Sequence, residues 1–123
     1  SAASDVYKRQ VHANGHFTLG ENIADHGGLR IAYTALHNTF DGVEPAPIDG
    51  FTADQRFYLA YAALWAGNIR DAEILRLTKI DPHSLGRWRV NAALRNMETF
   101  FKAFDIKEGD AMYMAPEDRV IIW

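Results

Sequence analysis

Three interruptions decide what this chain can fold into. Asp41 to Gly50, "DGVEPAPIDG", carries two prolines and two glycines, Gly67-Asn68 ends the next run, and Pro82 sits in "IDPHSLG". Proline removes a backbone donor and clashes with the preceding turn, and glycine weakens a helix by about 1 kcal/mol relative to alanine, so no helix crosses these points. The segments between them must each fold as separate elements. From Leu19 to Phe40 the residues Ile23, Gly27, Ile31, Ala35 and Leu36 recur at helical spacing, with Gly27-Gly28 implying a close neighbour or a bend. Thr52 and Gln55 match a capping box, which starts a helix running to about Ala66 with Phe57, Tyr58, Tyr61, Leu64 and Trp65 as an aromatic stripe. Asp71 can cap a short helix to about Lys79, and Trp88 to Phe104 reads as a last long helix with Val90, Leu94, Met97, Phe101 and Phe104 on one side. "RVIIW" closes the chain as a strand or as an extended plug into the core. Asn14-Gly15 within "VHANGHFTLG" is a hairpin signal and predicts a short β-hairpin over Val11 to Leu19. The expected fold class is mainly α with little sheet.

Composition narrows the function classes. A chain of 123 residues that is 48% hydrophobic can bury one core but is too short for two ordinary domains. The net charge of -3 and the lack of a Lys/Arg run give no footprint for nucleic acid. No apolar stretch approaches the roughly 18 residues of a transmembrane span, and no basic-then-apolar leader opens the chain. With no cysteine there is neither a disulfide framework nor a thiolate, so any metal chemistry would use His, Asp and Glu. Residues 1–10, "SAASDVYKRQ", lack an apolar period and read as a sequencing or cloning artefact, leaving 11–123 as the folding unit.

Two constellations carry chemistry. Glu21 and Asp25, in "GENIADHGG", lie one turn apart on the same helix face, where like charges repel by a few tenths of a kcal/mol. They are either a solvated acidic face or a pair serving one cation, directly or through a neighbouring ligand. In "DPHSLGRWR", Arg87 and Arg89 stand near a helix start, where the macrodipole disfavours cations by up to about 1 kcal/mol. Either these arginines snorkel beside a loop histidine, His83, or an anion or polarised carbonyl offsets the cost. His12 and His16 in "HANGH" have the interval of a metal-binding helix, but Ala13 occupies the place of a catalytic acid and Asn14-Gly15 disrupts the helix, so the interval is a coincidence within a turn.

The string "NGHFTLGENIADHGGLRIAYTAL", together with "DPHSLGRWRVNAALRNMETFFKAF", resembles the neprilysin and endothelin-converting-enzyme family of zinc metalloendopeptidases, and the likeness runs in order from Val11 to Trp123. It implies the C-terminal part of a thermolysin-like, gluzincin helical catalytic domain. By the same resemblance Glu21 is a zinc ligand and Asp25 orients a zinc-binding histidine. His83 donates to the oxyanion, Arg89 holds a substrate carbonyl, and Leu64 and Trp65 line the pocket for the residue after the scissile bond. A carboxylate completing a His2Glu site with an open position for water fits catalytic zinc. The family's His-Glu-x-x-His helix, which supplies the other ligands and the general base, is missing from this sequence. The expectation is therefore a fragment inactive by itself, whose partners are peptide substrates and the N-terminal remainder of the peptidase. Leu85 replaces a proline frequent in the family, and Val120 stands where animal members carry a cysteine, as in a bacterial, disulfide-free relative. An exported location, periplasm or cell envelope, goes with that reading. The alternative is a self-contained helical interaction module with the Phe57 to Trp65 stripe as a groove for a partner helix, and a further one is an autonomous metal site of His12, His16 and Glu21.

Overall fold

The structure, a computed structural model, describes residues 12–122. Segment 1–10, Val11 and Trp123 lie outside the described residues. Among the described residues five α-helices follow one another: α1 Gly15–Asn38, α2 Ala53–Leu64, α3 Asp71–Ile80, α4 Gly86–Leu94 and α5 Glu98–Phe104, with a 3-10 turn at Pro116–Asp118. Among the described residues there is no strand beyond one isolated bridge, Ile48 to Phe51, so the mainly α expectation holds.

The expected N-terminal hairpin is replaced by the start of α1. Asn14 caps that helix, its side-chain oxygen accepting the Phe17 N–H at 3.2 Å. Asparagine is as good a helix cap as a hairpin residue, and the helical period that follows decides between the two. Tight-turn geometry appears instead at Asp49-Gly50, where both residues have positive φ and Ile48 and Phe51 exchange two backbone hydrogen bonds of 3.0 Å. The capping box at Thr52 and Gln55 forms as its residues dictate. Asp71 does not cap α3; Arg70 takes that position, and Asp71 adds a negative charge to the first turn, where the helix dipole favours it.

The core lies where α2 packs on α5 and α1 on α4. Leu29, Tyr58, Leu94, Met97, Phe100 and Phe101 form its centre, with Phe57, Tyr61 and Tyr33 packed against it. Phe57, Tyr58 and Tyr61 of the α2 stripe are thus taken up by the molecule's own core, whereas Leu64 faces out. On α1 the buried residues are Thr18, His26, Gly27 and Leu29, whereas Ile23 and Ile31 face out and Gly28 borders open space. This helix carries apolar residues on more than its core side.

The expected single helix over Trp88 to Phe104 is two. Its apolar face was legible, with Leu94, Met97 and Phe101 buried, but the chain turns at Arg95 to Met97. Asn96 accounts for the break: its amide donates to the Ala92 carbonyl at 2.7 Å and its side-chain oxygen accepts the Val120 N–H at 2.7 Å. The tail thereby runs extended against α4, with Ile122 buried as the plug.

Candidate functional site

The helix α1 meets the His83 to Arg89 segment along one face. Asp25 and Arg89, 64 residues apart in sequence, form a two-pronged ion pair: Nε donates to Oδ2 at 2.6 Å and Nη2 to Oδ1 at 2.7 Å. Both side chains are 14% exposed. The Arg89 guanidinium also lies over the Trp65 ring, 3.8 Å from its centroid, and Tyr61 donates its hydroxyl to the Arg89 carbonyl at 3.2 Å. A planar fork stacked on an aromatic face and doubly bonded to a carboxylate is held in one orientation. The Asp25 carboxylate pushes the Arg89 guanidinium further into its charged form, and burial, with the Asp25 charge second, pushes the Tyr61 hydroxyl up. This clamp forms because α4 can start close to the end of α2. A Cβ on Gly86 would stand 2.8 Å from the Trp65 carbonyl oxygen, a distance only glycine avoids.

One turn earlier on α1, Glu21 faces His83, with Oε2 3.2 Å from Nε2 and the two side chains 44% and 41% exposed. The other ring nitrogen, Nδ1, lies 2.7 Å from Asp81 Oδ1, and the same oxygen accepts the His83 backbone N–H at 2.9 Å. These two bonds hold the Asp81 carboxyl below its ordinary range. They also fix the ring so that Nε2 points at α1. Between the two pairs, Ser84 Oγ donates to Asn22 Oδ1 at 2.8 Å.

Five of the six residues singled out in the sequence come together here: Glu21, Asp25, His83, Arg89 and, through its ring, Trp65. Leu64 does not join them; its side chain is 76% exposed at the end of α2 and belongs to no core. Asp81, Asn22, Ser84 and Gly86 were missed. Asp81 could have been found as the acid two residues before a histidine in "DPHS", whereas nothing in the sequence marks the meeting of Asn22 with Ser84. His12 precedes α1 while His16 lies within it, so the two share no helix face, and among the described residues no group of three or more His, Asp or Glu is arranged to hold a metal ion.

The model of peptidase family M13 matches residues 2–120 of this chain. The chain belongs to peptidase family M13. It is 36% identical over 124 residues to neprilysin-21 of Caenorhabditis elegans, covering 96% of this chain and 16% of that protein. It is 38% identical over 115 residues to human neprilysin, covering 91% and 15%. The zinc metalloprotease Zmp1 of Mycobacterium tuberculosis, in an inhibitor complex, superposes with a TM-score of 0.89 at 43% identity, over 91% of this chain and 17% of that one. The chain therefore spans about a sixth of the length of these relatives.

Proposed function

We propose that this chain is a segment of the catalytic domain of a zinc-dependent metalloendopeptidase, and that it supplies one metal ligand together with groups that bind substrate and stabilise the transition state. The observation that carries this reading is the convergence of the "GENIAD" and "DPHSLGRWR" motifs on one face of α1 through Glu21–His83 and Asp25–Arg89. The donor chemistry fits zinc: Glu21 is a half-exposed carboxylate in no bidentate pair, available as one ligand, and the rest of the set has to come from elsewhere in a larger protein. Zinc, when bound, would activate a water and polarise the scissile carbonyl.

The remaining steps are the work of this chain's own residues. Both Asp25 oxygens accept from Arg89, yet each carboxylate oxygen keeps a lone pair with which to orient a histidine ligand. With Nδ1 donating to Asp81, a His83 ring protonated on both nitrogens aims its Nε2–H where it can donate to the carbonyl oxygen as negative charge gathers there, a contribution typically of several kcal/mol. Arg89 spends two of its five N–H groups on Asp25 and keeps three to hold a substrate carbonyl, its plane fixed by Trp65. Trp65 stands beside Arg89 as a wall for an apolar side chain of a short peptide, and Leu64 would join it only from outside the cluster.

The test is a chimera in which residues 12–122 replace the matching segment of Mycobacterium tuberculosis Zmp1. It should cleave peptides in a chelator-sensitive, zinc-restored manner, while the 123-residue chain alone should bind no stoichiometric zinc and cleave nothing. Chelator-sensitive turnover by the isolated chain, or a folded chimera without activity, would refute the reading.

A further inference from the structure

We propose that Asn22 and Ser84 are positioning residues that hold His83 over α1 when Glu21 is engaged elsewhere. The inference rests on the peptidase reading, because in that reading Glu21 turns to a cation and no longer faces His83. Something else must then keep the ring in place. Asp81 fixes the rotation of the ring, but it is a neighbour on the same loop and cannot fix the distance from that loop to α1.

The hydrogen bonds running down α1 give the latch a direction. Thr18 is buried, and its hydroxyl lies 3.3 Å from the Asn14 carbonyl, to which it can only donate. Its oxygen is thereby left as the acceptor for Asn22 Nδ2, also at 3.3 Å. The amide nitrogen thus faces Thr18 and the amide oxygen faces Ser84, which must donate, at 2.8 Å. A flipped Asn22 amide would set acceptor against acceptor at Thr18, whose hydroxyl proton is given to the Asn14 carbonyl. Ser84 is adjacent to His83 in the chain and Asn22 is adjacent to Glu21, so one uncharged bond sets the height of the ring above the carboxylate. Residues 21, 22 and 25 of α1 meet residues 83, 84 and 89 in the same order, and the middle contact is the one that does not depend on a carboxylate's charge.

The experiment uses the 123-residue chain, labelled for NMR, and reads contacts between the His83 ring protons and the α1 protons of Glu21 and Asn22. In Glu21→Gln these contacts should survive. Adding Ser84→Ala, or separately Asn22→Ala, should abolish them while the Tyr58–Phe100 core contacts remain, and Ser84→Thr, which keeps the hydroxyl, should retain them. Persistence of the ring contacts in Glu21→Gln/Ser84→Ala overturns the proposal, as does their loss in Ser84→Thr. In the Zmp1 chimera, Ser84→Ala should lower kcat about five-fold, the equivalent of one hydrogen bond, at unchanged KM and zinc content. A raised KM or lost zinc instead would contradict a positioning role. Should the unsubstituted chimera be inactive, the peptidase reading fails, and the NMR contacts still decide whether the latch exists.

Discussion

Two carboxylate contacts join the same two segments one helical turn apart, and they differ in almost every physical respect. Asp25–Arg89 is two-pronged, mostly sheltered and stacked on Trp65; Glu21–His83 is a single 3.2 Å contact open to water. The first is built to stay as it is, because withdrawing one partner strands a desolvated charge. The second contributes little to folding and can be exchanged for another partner at small cost. On the proposed reading, a fixed pair beside an exchangeable one would let a single helix both anchor the Arg89 guanidinium and offer the Glu21 carboxylate to a cation.

The largest expected effect breaks the fixed pair. Asp25→Ala should destabilise the chain by about 3 kcal/mol in urea unfolding, since Arg89 is left sheltered and unpaired; a loss under 1 kcal/mol would mean that the guanidinium escapes to solvent. Gly86→Ala should follow at about 2 kcal/mol, because its Cβ would press on the Trp65 carbonyl and shift the start of α4. Unchanged stability there would show that α2 and α4 separate freely. Asn14→Ala should cost about 1 kcal/mol by removing the cap of α1, whereas no change would put the cap in doubt. Smallest is Glu21→Gln, at about 0.5 kcal/mol or less, and a larger loss would erase the contrast between the pairs.

Acidity sharpens the same contrast. Asp81 is held below its ordinary value of 3.8 by the N–H and ring of His83, so the folded state binds its proton less readily than the unfolded chain does. Its contribution is complete above that value and is lost as the pH falls below it. An NMR titration should show the His83 backbone N–H moving in that acid range, and no movement there would contradict the pairing.

What the sequence made legible divides along local and distant lines. The capping box at Thr52 formed as expected because all of its partners lie within one turn. Asn14-Gly15 misled, since a single dipeptide serves equally as hairpin turn or helix entrance, and the true tight turn sat at Asp49-Gly50 inside a stretch read only as loop. The break at Asn96 was hidden because its cause, the Val120 N–H, lies 24 residues away. At the site, the motifs named Glu21, Asp25, His83 and Arg89. The pairing of Asp25 with Arg89, 64 residues on, is a tertiary fact that no spacing rule contains. Leu64 had the helical spacing of a core residue, but it is the last residue of α2 and is 76% exposed.

The central claim is that Glu21, the exchangeable member, is a metal ligand. Zinc content of the Zmp1 chimera, measured with and without Glu21→Gln, tests it most directly. One zinc per molecule in the unsubstituted chimera and none in the folded Glu21→Gln variant is the predicted result. Full zinc occupancy with undiminished peptide cleavage in Glu21→Gln would contradict it.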